Sequence, residues 1–323
     1  MTGGISLVIV NFNAGIDLLR CLEAVGSQTL TPDRLILVDN ASTDGSSEAA
    51  ESFLQMHPRL VRIAELLRNP TNLGFAAANN LAAARCKTKF VAFLNPDAIP
   101  HPDWLEKLAL ASSLHPQAAS FGSLQYRDIH KQIVDGLGDV YHVSGACWRR
   151  RHGQKLLLSD LQRTEIFSTC AAAALYHRSA FLEVGGFDED FFCYVEDVDL
   201  GFRLRLAGHT AVFVRDAVVE HSSRNRGSVA AVYYGHRNLV WCFCKNMPAP
   251  LLPMLLLPHL IQTVSAFMIC SIRGQSQVFL RAKRHALMGL PKFLLKRKQI
   301  QKNRKASLVD IFLSFDKSLI HRR

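Results

Sequence analysis

From Ile5 to Pro102 the sequence alternates short apolar runs with helical periodicities, and that alternation restricts the chain to an α/β fold. Ile5 to Val10 reads as a buried strand. Residues 14–27 then carry Ile16, Leu19, Leu22 and Val25 at helical spacing. Arg34 to Val38 is a second strand. The turn and cap Thr43-Asp44-Gly45-Ser46 opens a helix that runs to about Met56, ahead of Pro58. Leu60 to Ala64 is expected as the third strand, residues 75–86 as an Ala-rich helix and Phe90 to Leu94 as the fourth strand. Pro102 is expected to open another helix at the first position, where proline is favoured. The βαβαβαβ order implies a mostly parallel central sheet covered on both faces by helices.

Beyond this region the pattern weakens. Gly136, Gly138, Gly145 and Gly153 punctuate polar runs between Phe121 and Arg163, which suggests hairpins and loops. Regularity returns at Cys170 to Tyr176. A turn follows at Gly185-Gly186-Phe187-Asp188-Glu189, then a helix over 196–207 closed by Gly208. Thr210 to Val214 and Ala217 to Glu220 are expected as two strands, and 229–246 as a long helix. This divides the chain into an α/β unit, 1–228, and a helical C-terminal region, 229–323.

Composition narrows the classes. A chain that is 49% hydrophobic is too apolar for disorder. The eight cysteines form no CxxC pair, which argues against a zinc site or disulfide framework and fits a reducing cytosol. No basic segment precedes the first strand, so no secretory signal is expected. Charge is uneven: from Ser271 onward 14 Lys and Arg face only Asp310 and Asp316, which leaves the rest of the chain close to neutral. Residues 249–272 are apolar and nearly as long as a membrane span, though interrupted by Pro253, Pro258, His259 and Gln262. The basic residues Arg281, Lys283, Arg284, Lys292, Lys296, Arg297, Lys298, Lys302, Arg304 and Lys305 follow. An apolar segment beside a polybasic one suits an anionic cytoplasmic membrane surface, with peripheral attachment expected and a span or packing on the body as the alternatives for 249–272. A neutral body with an uncharged apolar stretch does not suit nucleic acid.

Five segments carry candidate chemistry. Asn95-Pro96-Asp97 follows the fourth strand, at the edge where open α/β sheets bind ligands, and an acid there suits a divalent cation held against phosphate. Asp39, after the second strand, is either turn chemistry or a carboxylate accepting the N3–H of a uracil or thymine. Asn72 and Gly74 offer amides to a nucleotide or cap the helix that follows. Glu196, Asp197 and Asp199 crowd a helix start, where negative charge is favourable and Asp199 can pair with Arg203. A partly enclosed acid in that group suits a general base. His221 ends a strand at the presumed ligand edge and is a candidate metal ligand. GxGxxG and GxxxxGK[ST] are both missing, which removes the main support for dinucleotide and P-loop readings.

Taken in order, six segments resemble a known family: Ser6 to Asn13, Leu37 to Ser46, Asn69 to Asn80, Leu94-Asn95-Pro96-Asp97, Gly185 to Glu189 and Glu196-Asp197-Val198-Asp199-Leu200. They look like inverting family 2 glycosyltransferases of the GT-A fold, in the rhamnosyltransferase-like branch, over roughly residues 5–245. The resemblance implies that Val10, Asn11 and Asp39 line a nucleobase pocket and that Asn72, Gly74 and Asn95 meet the nucleotide sugar. It implies Mg2+ or Mn2+ on Asp97 and His221, Asp197 as catalytic base, and Glu196 and Asp188 on the acceptor side. The implied partners are a nucleoside-diphosphate sugar, with dTDP-rhamnose suggested by the branch, and a glycan or lipid-linked acceptor. Asn95 departs from the DxD pattern, and QxxRW, which marks processive members, does not occur. The competing readings are a catalytically silent nucleotide-sugar-binding protein and a nucleotidyltransferase.

Overall fold

The computed structural model describes residues 4–162, 164–221 and 227–318. Met1 and Arg163, at the limits of two expected segments, lie outside the described residues. Strands β1 (Ile5–Asn11), β2 (Arg34–Asp39), β3 (Ala64–Arg68) and β4 (Phe90–Leu94) alternate with helices α1 (Ile16–Gly26), α2 (Ser46–Met56) and α3 (Gly74–Arg85). They pair in parallel in the order β3-β2-β1-β4. Alternate residues of these strands feed two cores. Leu7, Ile9, Leu35, Leu37 and Ala92 face Leu18, Leu22 and Leu54, while Val8, Ile36, Val38, Val91 and Phe93 face Ala76, Ala78 and Ala82. Each such fully buried branched side chain contributes about 1.5–3 kcal/mol, which is why the apolar runs were readable as strands.

Next come β5 (Ala98–Pro100), α4 (Trp104–Leu114), β6 (Ala118–Asp128), β7 (Ile133–Gly136), β8 (Asp139–Tyr141), β9 (Cys147–Arg149), β10 (Glu165–Ile166) and β11 (Ala173–His177). Then follow α5 (Arg178–Glu183), α6 (Glu196–Leu206), β12 (Thr210–His221), α7 (Val229–Asn246), α8 (Leu251–Ile272), α9 (Ser276–Lys302) and α10 (Leu308–Ser314). The sheet is mixed. It runs β10-β12-β6-β11-β4-β1-β2-β3, with β11 antiparallel to both β4 and β6 and β12 parallel to β6. The parallel pattern expected from the sequence holds for β3-β2-β1-β4 and is interrupted at β11.

Several boundaries differ for physical reasons. The third strand is Ala64–Arg68, not Leu60 to Ala64. It pairs on one side only and carries polar Glu65 and Arg68, so it lacks the apolar run of a central strand. Helix α4 begins at Trp104, while the Pro102 carbonyl accepts from the Thr29 N–H at 2.7 Å. The stretch expected as hairpins and loops begins inside an 11-residue strand, β6. Its buried Ser120, Ser123 and Gln125 mask the apolar pattern, and Ser123 Oγ pays for its burial by accepting from Trp104 Nε1 at 2.7 Å. The two strands expected at 210–220 are one, β12, broken in register between Val214 and Val218.

The basic C-terminal segment is partly an internal structure. Lys245 is buried and pairs with Asp188 at 2.5 Å and Asp199 at 2.8 Å. Lys296 pairs with Asp188 and Asp190, Lys292 with Asp190, and Lys305 with Glu183. Part of the tail's charge is thus spent holding α9 to the body.

Candidate active site

The parallel strands deliver Asn11, Asp39 and the Asn95–Asp97 turn to one edge of the sheet. Residues Asn11 and Asp39 are register partners, as are Ile9 and Leu94. The short β5 folds back antiparallel on β12 and pairs Ala98 with His221. This brings His221 Nε2 to 3.3 Å from Asp97 Oδ1 and 3.5 Å from Asn95 Nδ2. The other ring nitrogen, Nδ1, lies 2.8 Å from Oδ2 of Asp135, a wholly buried residue of β7. Asp135 also pairs with Arg149 of β9 and with His152, whose Nδ1 lies 3.2 Å from Oδ1.

Burial alone would raise the Asp97 carboxyl, but hydrogen bonding and charge from His221 outweigh it and hold the pKa below the ordinary value. For Asp135, burial is likewise outweighed by Arg149, His152 and His221, and the shift is strongly downward. Burial would lower His221, yet its bonds to Asp135 and Asp97 raise it. Among the described residues no group of three or more potential protein ligands forms a metal cage. A carboxylate and an imidazole side by side nevertheless fit one divalent ion whose remaining positions are filled by phosphate oxygens and water.

A second network lies at the ends of β1 and β2. Buried Asn11 donates through Nδ2 to Asp39 Oδ1 at 3.0 Å, Ser42 Oγ at 3.0 Å and Ser46 Oγ at 2.9 Å. Asp39 Oδ2 accepts from the Ser42 N–H at 3.2 Å. An ionised carboxylate has about four acceptor sites, so Asp39 retains capacity for a ligand N–H. Asn40 does the organising work next door. Its Nδ2 donates to Asn72 Oδ1 at 2.8 Å, and its Oδ1 accepts from Leu73 N at 3.0 Å and Asn69 Nδ2 at 3.1 Å. Asn72 Oδ1 also accepts from the Gly74 N–H at 2.8 Å, a turn just ahead of α3, whose cap residue Leu73 makes no side-chain hydrogen bond. Val10 is partly buried against the core beneath this edge.

The third component is the acid cluster at the start of α6. The turn that feeds it holds Phe192, Tyr194 and Val195 at φ of 65°, 67° and 72°. Left-handed backbone is a true outlier for a β-branched residue, and each such residue costs about 1–3 kcal/mol. Helix α7 supplies the restraint. Buried Asn238 donates through Nδ2 to the carbonyls of Phe191 at 3.0 Å, Cys193 at 3.0 Å and Tyr194 at 2.7 Å. Arg237 Nη2 donates to the carbonyls of Asp190 at 3.1 Å and Phe191 at 2.9 Å. The same turn touches the Asn72–Gly74 loop: a Cβ on Gly74 would sit 2.5 Å from the Phe192 ring.

Asp197 is half-buried. Its Oδ1 accepts from Val198 N at 2.8 Å and its Oδ2 from Ala171 N at 3.4 Å. The neighbouring Ala172 carbonyl accepts from Asn95 N at 2.8 Å, which ties the acid cluster to the Asn95–Asp97 turn. Glu196 is buried with Oε2 unpartnered, and burial followed by the Asp197 charge pushes its pKa up. Asp199 is structural: it accepts from Arg203 Nε at 2.9 Å and Asn246 Nδ2 at 2.7 Å, and it pairs with Lys245. Asp188, expected on the acceptor side, lies in the turn before α6. Its two oxygens are taken by Lys245 and Lys296, which hold its pKa far below the ordinary value against the effect of burial.

The sequence reading brought Asn11 and Asp39 together, and Asp97 with His221. It missed Asp135, Arg149, Asn40, Arg237 and Asn238. Asp135 had a signal, an acid within Ile133-Val134-Asp135-Gly136-Leu137, and Asn40 stood beside a residue already singled out. Arg237 and Asn238 had none, because their partners are backbone carbonyls more than 40 residues away.

Comparison with known proteins identifies the family and the fold. Glycosyl transferase family 2 matches residues 6–185. An N-acetylglucosaminyl-diphospho-decaprenol L-rhamnosyltransferase of Mycobacterium tuberculosis is 32% identical over 253 residues, covering 70% of this chain and 79% of that protein. An O-antigen chain rhamnosyltransferase of Salmonella typhimurium is 27% identical and covers 68% and 66% of the two chains. Among solved structures, a mannosyltransferase of Pyrobaculum calidifontis in complex with GDP-Man and Mn2+ superposes with a TM-score of 0.57 at 17% identity, covering 96% of this chain and 86% of that one. GalNAc-T7 with UDP, GalNAc and Mn2+ gives a TM-score of 0.58 at 17% identity, over 74% of this chain and 47% of that chain. The mixed sheet is that of the GT-A fold, and the chain belongs to glycosyltransferase family 2 as an enzyme similar to rhamnosyltransferases.

Proposed function

We propose that this enzyme transfers rhamnose from dTDP-rhamnose to a hydroxyl of a lipid-linked saccharide, with inversion and with Mg2+ or Mn2+ on the diphosphate. The observation that carries the reading is the convergence of Asp39, Asp97 with His221, and Asp197 on one sheet edge, in a chain of this family. The names of the rhamnosyltransferase relatives support the sugar, and the M. tuberculosis relative's name supports a lipid-diphosphate acceptor. The GT-A neighbours solved with Mn2+ support a divalent ion.

In this reading Asp39 accepts the N3–H of the base, while Asn11 and the Asn40-braced loop at Asn72 and Gly74 hold the nucleoside. Asp97 and His221 hold the ion, which when bound neutralises charge on the leaving diphosphate. Asp135 fixes the His221 ring from behind. Asp197 takes the proton from the acceptor hydroxyl as its oxygen bonds to the anomeric carbon and the bond to the diphosphate breaks on the opposite face. One displacement of this kind inverts the centre. Glu196, buried beside it, has its carboxyl pKa raised by burial and by the Asp197 charge. The catalytic unit is residues 1–228, and the region 229–323 adds α7, whose Arg237 and Asn238 hold the acid turn. The reaction takes place on the cytoplasmic face of the membrane.

Calorimetric titration of Asp97→Ala with dTDP-rhamnose, with and without Mn2+, tests this reading. The variant should lose the metal-dependent part of donor affinity and nearly all transfer. Unchanged affinity in Mn2+ together with normal turnover would overturn the metal assignment.

A further inference from the structure

Helices α8 and α9 form a hairpin joined by Arg273, Gly274 and Gln275, and the Phe267 and Phe279 rings meet across it at 5.6 Å. Helix α8 is the one helix among the described residues long and apolar enough to cross a membrane by length and composition. It is also pinned to the body at both ends. Leu251, Leu255 and His259 are buried near its start and Cys270 near its end. His259 stacks on Phe243 at 4.2 Å and lies 2.8 Å, through Nδ1, from the Ser144 carbonyl. Cys270 Sγ is 3.5 Å from His236 Nε2. At about 1.5 Å per residue, these anchors span nearly 30 Å of helix, so α8 lies along the protein instead of leaving it.

Its opposite side is apolar and open. Met254, Leu257, Ile261, Val264 and Met268 recur at intervals of three and four residues, and all are exposed. Helix α9 presents Leu280, Leu287, Met288, Leu294 and Leu295, also exposed, on the face that carries exposed Arg284, Lys298 and Lys302. Interleaved leucine and cation on one helical face is the pattern of a helix lying in a bilayer interface. No Asp or Glu occurs between Glu220 and Asp310. An apolar face without any negative charge, studded with free cations, is complementary to an anionic lipid surface and not to another copy of itself.

We infer that the outer faces of α8 and α9 lie in the plane of an anionic bilayer as a two-helix raft, with α8 in the interface and not across it. The inference goes beyond the proposed reaction and does not depend on its donor or acceptor. Within the raft, the cations select anionic lipid and the α8 stripe adds a salt-resistant part.

The test uses the full chain, without substrates, and vesicles of phosphatidylcholine with or without phosphatidylglycerol. Sedimentation should show binding that rises with phosphatidylglycerol and falls partly in high salt. Replacing Arg284, Lys298 and Lys302 by Gln should weaken it by about 10²-fold, at roughly fivefold per cation. Ser at Leu257, Ile261 and Val264 should remove the salt-resistant part, with circular dichroism checking that each variant remains folded. Single Trp substitutions at Leu257, Ile261 and Met268, quenched by lipids brominated at known depths, should all report one shallow depth. A depth profile deepest at Ile261 would mean a span and overturn the inference. So would equal recovery in the supernatant with and without phosphatidylglycerol, or a stable dimer that binds no vesicles.

Discussion

His221 is held between two carboxylates, with Nδ1 at 2.8 Å from Asp135 Oδ2 and Nε2 at 3.3 Å from Asp97 Oδ1. Asp135 is itself fixed by Arg149 and His152, so the ring orientation is determined from behind and Nε2 is the nitrogen offered to the ligand edge. Asp135→Asn should therefore weaken Mn2+ binding by about 10–100-fold, the usual cost of losing the carboxylate behind a metal-binding histidine. Titration of Mn2+ in the presence of nucleoside diphosphate, followed by electron paramagnetic resonance, measures this directly. Unchanged Mn2+ affinity would make Asp135 a purely structural acid.

Asp197→Asn keeps the shape of the side chain and its contacts with Ala171 and Val198 while removing basicity. Turnover should fall by more than ~10²-fold with donor affinity nearly intact. If turnover stays within a few-fold, the base lies elsewhere, and Glu196 with its unpartnered Oε2 is the next residue to change.

Asn238 donates to three carbonyls of the strained Phe191–Tyr194 turn. Asn238→Ala leaves those buried carbonyls short of a donor, so stability should fall by about 1–3 kcal/mol. Because the turn aims Asp197, kcat should fall while the KM for the donor changes little. A loss confined to KM would place the turn's role in donor binding instead.

Lys245 lies between Asp188 and Asp199 with its side chain 1% exposed. Lys245→Met leaves two buried acids undercompensated and should cost about 3–5 kcal/mol. The Asp188 pKa is depressed on folding, so its pairing stabilises above the unfolded carboxylate pKa, 3.8, and is lost as pH falls through the lower folded value. Denaturant unfolding should thus show a large gap between the wild type and the variant near neutral pH, closing below pH of about 4. A constant gap across that range would contradict the ionic account.

The strands readable in the sequence were those buried on both faces. β1, β2 and β4 are continuous apolar runs, and α7 was placed at 229–246, as found. Edge strand β3 and serine-bearing β6 were displaced or hidden because half-exposed or hydrogen-bonded buried positions need not be apolar. At the site, residues following strands were legible because strand ends fix their edge. Asp135, Arg237 and Asn238 act on groups distant in sequence, and only the assembled sheet brings them to their partners. The tail showed its charge but not its use, since Lys292, Lys296 and Lys305 meet acids between Glu183 and Asp190 that no local pattern connects to them.

The most direct measurement of the central claim is the reaction itself. The protein is incubated with a panel of nucleoside-diphosphate sugars, Mn2+ and a lipid-linked saccharide, with released nucleoside diphosphate quantified and the product's anomeric configuration read by NMR. The account predicts release of nucleoside diphosphate in step with product, highest with dTDP-rhamnose, abolished by chelation, and a glycosidic bond of configuration opposite to that of the donor. A product that retains the donor configuration, or transfer undiminished by chelation, would contradict it.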